Sequence, residues 1–219
     1  NFYRQKYKQT AFDVILLSDN NALTFVLSRR HKLFPDVPVV FCGINNFSKD
    51  LLGGQTGISG ITEDIDIKGT IGLTCRILPN IQKFIVINDR TPTGRANLEK
   101  FEHAVSHLPT AKVSFELWDD ITAAELQERL AGLSPDTAVL VFTFHRDKNG
   151  QWFSIPEFWT LIRERCRSPI FSFWDIYLGQ GVVGGVMVYG NEQGKRCAEY
   201  AIRILKGESA ASIPVLVDS

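Results

Sequence analysis

The sequence predicts an α/β fold in which parallel strands alternate with helices. Most of its short apolar runs are continuously hydrophobic, which is typical of strands covered on both faces by helices. Segments with an apolar residue at every third or fourth position lie between these runs and indicate amphipathic helices. Elements that alternate in this way form right-handed βαβ units and a doubly wound sheet. The predicted strands are residues 14–17, 37–42, 84–87, 113–117, 138–142, 169–173, 182–189 and 213–217.

Capping signals mark several helix ends. Thr91-Pro92 supplies an N-cap followed by a proline in the first helical position. Thr122-x-x-Glu125 and Ser154-x-x-Glu157 match the capping box, in which two side chains satisfy backbone N–H groups reciprocally. The last helix is predicted to begin near Asn191 and to end at Lys206-Gly207, where the glycine terminates it.

Length and composition bound the class of protein. The chain has 219 residues, of which 44% are hydrophobic, so it buries a large core as one domain or as two small lobes. Its 24 basic and 24 acidic side chains cancel, which argues against a nucleic-acid-binding protein. No apolar run approaches the ~20 residues of a membrane span, and no signal-peptide pattern is visible. Since the first residue is Asn1, we expect a processed chain or a piece of a longer protein, so these absences say little about the parent.

The four cysteines indicate no metal site. Cys42, Cys75, Cys166 and Cys197 form no C-x-x-C pair, which leaves a zinc site poorly supported. We expect buried or partly buried free thiols that act as small apolar groups. A disulfide between Cys166 and Cys197 stays open as an alternative.

No enzyme signature is complete. The sequence lacks a phosphate-binding G-x-x-x-x-G-K-[ST] loop and a G-x-S-x-G nucleophile elbow. Gly179-x-Gly181-x-x-Gly184 has the spacing of a dinucleotide fingerprint, but it precedes an apolar run instead of a helix. His103 and His107 lie four residues apart on a polar helix face without an evident third metal ligand. We therefore expect no catalytic residue, no metal and no cofactor.

The candidate ligand-binding residues follow the predicted strands, because ligands of open α/β sheets bind beyond the carboxyl ends of the strands. They are Ser18, Asp19, Asn20, Asn21, Gly43, Asn45, Asp89, Arg90, Thr91, Thr93, Thr143, Phe144, Arg146, Asp147, Trp174 and Asp175. Several precede helices, whose free N–H groups suit a small polar or anionic ligand. Taken singly, Ser18, Asp19 and Thr91 are more often helix-capping residues, and Asn45 is more often a turn residue, than ligand contacts.

The pair Trp174-Asp175 has no capping explanation of its own. We expect Trp174 either to stack on a ligand or to fill a lobe interface. Arg146 and the helix N-termini are expected to hold anionic groups. Asp19 or Asp175 is expected to accept a hydrogen bond from a ligand donor.

Several stretches resemble the type I periplasmic binding proteins of the ABC-transporter substrate-binding group, in an order that covers nearly the whole chain. They are FDVILLSDNNAL, VPVVFCGIN, TGISGITEDIDIKGTIGLTCRILPNIQKFIVIND and GVMVYGNEQGKRCAEYAIRILKGESAASIPV. Three more, LFPDVPVVFCGINN, FHRDKNGQWFSIPE and FWDIYLGQGVVGGV, look like the extracytoplasmic sensor domains of bacterial membrane proteins. Those are chiefly sensor histidine kinases and sometimes cyclic-dinucleotide signalling enzymes.

The resemblance implies two Rossmann-like lobes, each a parallel sheet flanked by helices, joined by three hinge crossings, with a ligand clamped between them. Lobe one would comprise residues 1–79 and 177–210, and lobe two residues 80–176. Residues 211–219 would form a C-terminal strand near the hinge. The family usually has a further strand and helix before the segment that starts here. The first βα unit of lobe one is therefore expected to be truncated, or replaced by a different cover for that edge, with residues 1–7 as the helix before the first predicted strand.

The resemblance also implies a function. We expect a non-catalytic sensor domain of a membrane signalling protein, tethered at the periplasmic or extracellular face of a bacterial inner membrane. Its ligand would be an amino acid, another small carboxylate or an aromatic metabolite, with no nucleic-acid partner. Such sensor domains often pair, which makes a homodimer a candidate state. The alternatives are a free solute-binding protein of an ABC importer, the effector core of a repressor and, in another class, an α/β enzyme such as a sugar-nucleotide transferase.

Overall fold

Two compact units make up the chain, for which a computed structural model describes residues 2–108 and 113–218. The first unit consists of Asn1–Asp64 and Val188–Ser219, and the second of Ile65–Met187. Residues 65–79 and 177–187, which the family resemblance would place in lobe one, lie in the second unit. Asn1 of the predicted first helix and Ser219 of the predicted last segment lie outside the described residues.

Strands and helices alternate along most of the chain. The strands are β1 (Ile15–Ser18), β2 (Val39–Asn45), β3 (Ile58–Glu63), β4 (Lys83–Ile87), β5 (Ser114–Trp118), β6 (Thr137–Val141), β7 (Ile170–Ser172) and β8 (Leu216–Asp218). The α-helices are α1 (Phe2–Lys6), α2 (Asn20–Leu33), α3 (Ile67–Ile77), α4 (Pro92–Ser106), α5 (Ala123–Ala131), α6 (Ile155–Arg165) and α7 (Gly190–Leu205). Each pair of neighbouring strands within these two sheets is parallel, so the predicted α/β class is confirmed.

The first unit contains a sheet with the strand order β1-β2-β3-β8. Alternate residues of β2 point to opposite faces, as a pleated strand requires. Val39 and Phe41 pack in the core under α2, whereas Val40 packs with Cys197 under α7. Among the described residues, β1 is an edge strand, and Leu16 on it is 52% exposed.

The second unit contains a sheet with the order β5-β4-β6-β7. Its core joins Ile85 and Ile87 of the sheet to Leu126 of α5 and Trp159 of α6. Helix α3 packs against α4 and β7, and residues 65–79 therefore belong to this unit.

The predicted caps are present. Thr91 Oγ1 accepts a hydrogen bond from Gly94 N at 3.1 Å, and both capping boxes at the starts of α5 and α6 are complete. Gly207 follows α7 with a φ of 98°, the conformation expected of a terminating glycine. Helix α7 begins at Gly190, one residue before the predicted start.

The prediction of a strand over residues 182–189 is wrong. Only single-residue bridges form in that stretch, and one of them pairs Gly184 in parallel with Phe171, beside β7 in the second unit. A Cβ on Gly185 would lie 1.9 Å from the Ser172 carbonyl oxygen, so the chain runs too close to β7 at this position to carry a side chain. Strand β3, in contrast, has no counterpart among the predicted strands.

Candidate ligand-binding site

The first unit brings the ends of β1, β2 and β3 to one edge of its sheet. Parallel pairing aligns Ser18 with Cys42 and Asn45 with Glu63. The predicted residues 18–21 and 43–45 are therefore neighbours at the carboxyl ends of adjacent strands. Ser18 and Asn21 are exposed there.

Asn20 connects two of these strand ends. Its Nδ2 donates to the carbonyl oxygen of Asn45, and its Oδ1 accepts from the backbone N–H of Asn45, both at 2.9 Å. This amide pairing commits the Asn20 side chain to holding the start of α2 against the end of β2. The side-chain Oδ1 of Asn45 is buried and has no hydrogen-bond partner among the described residues.

Asp19 has an unfavourable backbone conformation. Its φ of 77° and ψ of 150° fall in a region that glycine alone adopts readily. The carboxylate accepts a weak cap hydrogen bond from Asn21 N at 3.3 Å, and the backbone N–H donates to Cys42 O at 3.1 Å. Backbone strain of about 1–3 kcal/mol per residue tends to occur at ligand-binding positions.

Gly43 forms a bulge in β2 and contacts the start of α7. The register of β2 against β3 shifts between Phe41 and Ile44, and Gly43 has a φ of 63°. Its N–H donates to Oε1 of Gln193 at 2.9 Å, so this backbone donor is already used inside the protein.

Gln193 is a binding candidate that the sequence analysis missed. Its side chain is 3% exposed, and because Oε1 must face the Gly43 N–H, the orientation of the amide is fixed. Nε2 is then a buried donor without a hydrogen-bond partner among the described residues. Burial of a donor without an acceptor costs about 1–3 kcal/mol, which a ligand acceptor would recover.

Glu63 is the second missed candidate. A Cβ on Gly43 would lie 3.8 Å from Glu63 Oε2, 3.8 Å from Asp19 N and 4.0 Å from Gln193 Oε1, so these groups surround one glycine. Glu63 ends β3, and recognition of that strand would have included it by the strand-end rule. No comparable signal in the sequence identifies Gln193.

In the second unit, a buried hydrogen-bond network occupies the ends of β4 and β6. The Asp89 carboxylate accepts from Thr91 N at 3.0 Å and from His145 N at 2.7 Å. Thr143 Oγ1 donates to Asn88 Oδ1 at 3.1 Å. Asp89 and Thr143 therefore hold two strand-end loops together, and Thr91 caps α4.

The two predicted arginines lie on the surface with intramolecular partners. Arg90 forms ion pairs with Asp119 at 3.3 Å and with Asp120 at 3.2 Å, and the hydrogen bond to Asp119 raises the pKa of its guanidinium. Arg146 lies over the ring of Trp152, with 5.6 Å from Cζ to the ring centroid. Thr93, in the first turn of α4, is exposed.

Phe144 and Asp147 make contacts within the protein that give them structural roles. Phe144 is 1% exposed and stacks on Phe158 in the core, so it presents no face to solvent. The carboxylate of Asp147 accepts from Asn149 N and Gln151 N, both at 2.9 Å, and thereby shapes a turn.

Trp174 and Asp175 follow β7 at the same edge as the loops after β4 and β6. Trp174 is half-buried and packs edge-on against Phe173 and Tyr177. Its ring centroid lies 5.9 Å from that of Phe173 and 6.2 Å from that of Tyr177. Its ring therefore combines a core contact with a solvent-accessible part. Asp175, also half-buried, starts a short 3-10 helix.

The described parts of the chain contain neither a metal-ligating cluster nor a helix that could span a membrane. Residues 2–108 and 113–218 contain no group of three or more metal-ligating side chains, and His103 and His107 are exposed. In these same ranges, every helix is too short or too polar to span a bilayer. All four cysteines are free.

Solved structures show what the architecture is similar to. An ABC domain from Streptococcus pneumoniae in complex with L-Trp superimposes with a TM-score of 0.68 and 16% identity, covering 100% of this chain and 72% of that one. A ligand-free, open substrate-binding protein with adhesive properties from Clostridium difficile gives 0.67 and 15%, covering 97% and 70%. This is the type I periplasmic binding protein fold.

The same fold occurs in transcriptional regulators. A LacI regulator from Lactobacillus brevis superimposes with a TM-score of 0.55 and 13% identity, covering 94% of this chain and 99% of that one. The sequence itself matches no family model and no curated protein. At these identities, the similarity establishes the type I periplasmic binding fold and leaves the function to the site.

Proposed function

We propose that the chain is a non-catalytic domain that binds a small molecule at the carboxyl ends of its strands. The observation that carries the proposal is Gln193, whose buried Nε2 has no acceptor among the described residues. The strained backbone of Asp19 beside the same glycine supports it, because such strain persists where function requires it. The type I periplasmic binding fold supports it as well.

The polar groups of the first unit favour a ligand with both an acceptor and a donor. Gln193 Nε2 offers a donor, and Asn45 Oδ1 is a buried acceptor without a partner among the described residues. Glu63 adds a carboxylate at the same sheet edge. An α-amino acid fits this set, since its carboxylate accepts from Gln193 and its ammonium donates to Asn45 or Glu63. A neighbour in complex with L-Trp makes tryptophan the first compound to test.

Within this function, we favour an extracytoplasmic sensor domain of a membrane signalling protein. The support is the resemblance of FHRDKNGQWFSIPE and FWDIYLGQGVVGGV to such domains. A free solute-binding protein of an importer is the second candidate, favoured by the substrate-binding protein among the structural neighbours. The complete coding sequence separates the two. A sensor requires a membrane span and a signalling domain in the same polypeptide, whereas a solute-binding protein requires a leader and no signalling domain.

A thermal-shift screen tests the binding function. Amino acids, other small carboxylates and aromatic metabolites are added singly at millimolar concentration. A ligand that binds only the native state raises the apparent stability by RT ln(1 + [L]/Kd), about 2.7 kcal/mol at a hundred times Kd. The ligand found should remain chemically unchanged after long incubation. If every compound leaves Tm unchanged, or if the binding compound is converted to a product, the proposal is wrong.

A further inference from the structure

Helix α4 carries two histidines at the end opposite to the candidate binding loops of the second unit. His103 lies in the last turn of α4 and His107 ends the helix, so the two are four residues apart and share one face. Both are exposed, and their ring centroids lie 4.8 Å apart. Thr93, in the first turn, lies roughly 15 Å from His103 along the helix axis. The histidine pair is therefore separate from the candidate ligand-binding residues of this helix.

Hydrogen bonds to the backbone fix the tautomer of His107. Its Nδ1 lies 2.8 Å from the carbonyl oxygen of His103, and because a carbonyl oxygen can only accept, Nδ1 carries the proton. The hydroxyl of Ser106 donates to the same carbonyl at 2.9 Å, which leaves its oxygen as a second acceptor 2.9 Å from Nδ1. Nε2 of the neutral His107 ring then has a free lone pair. Histidines that bind metals hold their other ring N–H in this way.

The ring nitrogens that remain are available to a ligand from solvent. Among residues 2–108 and 113–218, neither Nε2 of His107 nor a ring nitrogen of His103 has a hydrogen-bond partner. The site also lies at the C-terminal end of a helix, where the macrodipole places partial negative charge. Two adjacent imidazole nitrogens beside this negative helix end favour a cation that accepts nitrogen ligands.

We propose that His103 and His107 form a surface site for one divalent transition-metal ion, held by Nε2 of His107 and a ring nitrogen of His103. The sequence predicts no metal at this pair because a third protein ligand is missing, and the described residues indeed supply none. Water fills the remaining positions, so the site is open. Imidazole ligands suit Cu²⁺, Ni²⁺ and Zn²⁺, with Cu²⁺ bound most tightly, whereas Mg²⁺ and Ca²⁺ require oxygen ligands.

The test is isothermal titration calorimetry of the chain, without an affinity tag, with NiCl₂ as the probe. Nickel is preferred to copper because Cu²⁺ also oxidises thiols, and all four cysteines are free. We expect one Ni²⁺ per chain. Loss of an outer partner of a metal ligand already costs about 10-fold in affinity, so His103→Ala and His107→Ala should each cost at least that. His31→Ala, at an exposed position in the last turn of α2, is the matched control and should keep the parent affinity.

A second measurement identifies the ligand atoms. In NMR spectra of the histidine side chains, paramagnetic Ni²⁺ should broaden the signals of His103 and His107 and leave those of His31 and His145 sharp. Circular dichroism without metal should show both alanine variants folded, because the replaced side chains are exposed.

Three outcomes overturn the proposal. They are a parent chain that binds no Ni²⁺, alanine variants that bind it as tightly as the parent, and thiolate-to-nickel charge-transfer absorption, which would assign the metal to cysteines. None of these outcomes bears on the binding of a small molecule at the strand ends. This inference and the proposed function therefore stand or fall separately.

Discussion

The carboxylate of Asp89 accepts a hydrogen bond from the backbone N–H of His145 at 2.7 Å, across the loops that follow β4 and β6. The same carboxylate accepts from Thr91 N at 3.0 Å, and the residue is 1% exposed. Each oxygen therefore satisfies a buried backbone donor. This single side chain fixes the geometry of two strand-end loops at the candidate site of the second unit.

Replacement of Asp89 by Asn should destabilise the protein. The amide places a donor against one of the two N–H groups and leaves it buried without an acceptor, at a cost of about 2–3 kcal/mol. For a chain of this size, that corresponds to a fall in Tm of roughly 5 °C or more. Thermal unfolding followed by circular dichroism measures it.

The matched control is Asp120→Asn. Asp120 is exposed and takes part in a surface ion pair with Arg90, which is worth about 0–1 kcal/mol. A fall in Tm as large for Asp120→Asn as for Asp89→Asn would contradict the assigned role of Asp89.

Replacement of Asp19 by Gly should raise stability. Glycine adopts the backbone conformation of residue 19 without strain, which recovers about 1–3 kcal/mol, and the loss of a weak N-cap to glycine costs only a few tenths. Asp19→Ala loses the same carboxylate but keeps the strain. Urea denaturation should rank Gly above the parent and Ala below it. If Gly and Ala are equally stable, the backbone at Asp19 is not strained.

Replacement of Gln193 by Glu should weaken ligand binding while keeping the fold. A glutamate oxygen still accepts from the Gly43 N–H, but the donor at Nε2 becomes an acceptor. Loss of a hydrogen bond to a charged ligand oxygen costs about 1.5–3 kcal/mol, or about 10- to 150-fold in Kd. Isothermal titration calorimetry with the ligand from the screen measures the change.

Gln82→Glu, at an exposed position of the second unit, serves as the control for the added charge. Unchanged affinity in Gln193→Glu would remove Gln193 from the site. An equal loss of affinity in both variants would assign the effect to net charge instead.

The capping box at the start of α6 should make stability depend on pH. Glu157 accepts from Ser154 Oγ at 2.6 Å and from Ser154 N at 2.7 Å, and these hydrogen bonds hold its pKa below the usual value of 4.5. A depressed carboxylate pKa contributes stability above 4.5, and that contribution is lost as pH falls through the folded-state pKa. Glu157→Gln keeps a neutral capping residue that does not titrate.

Thermal melts from pH 7 to pH 3 should therefore show a steeper loss of Tm below pH 4.5 in the parent than in Glu157→Gln. Glu99→Gln, on the exposed face of α4, should follow the parent curve. Identical curves for the parent and Glu157→Gln would show that this carboxylate is not coupled to folding.

Local sequence chemistry predicted the elements whose signals lie within one segment. Buried strands such as β4 and β6 were predicted because they are continuous apolar runs in the sequence. The predicted caps at Thr91, Thr122 and Ser154 are all present. Strand β3 was missed because its apolar run is broken by Ser59 and Gly60. Ser59 can be buried because its hydroxyl donates to Ile213 O at 2.8 Å, and this partner is more than a hundred residues away in the sequence.

Site residues that depend on distant partners could not be found from the sequence. Gln193 looks like an ordinary polar residue on an amphipathic helix until α7 packs on β2. The same limit applies outside the candidate site. Arg30 lies in the last turn of α2, where a basic residue is expected, yet it is 9% exposed and donates to the carbonyl oxygens of Val37 and Thr56 at 2.7 and 2.6 Å. Phe144 shows the reverse error, because a residue that follows a strand can belong to the core.

The close approach of Gly185 to Ser172 has a consequence for how this sequence can vary. Because even a methyl group would overlap the Ser172 carbonyl oxygen, substitution there requires the backbone of β7 to move. The helix glycines Gly72 and Gly194, in contrast, have open space where a Cβ would be. In a survey of natural variants, position 185 should be invariant, whereas drift to alanine at positions 72 and 194 should be tolerated.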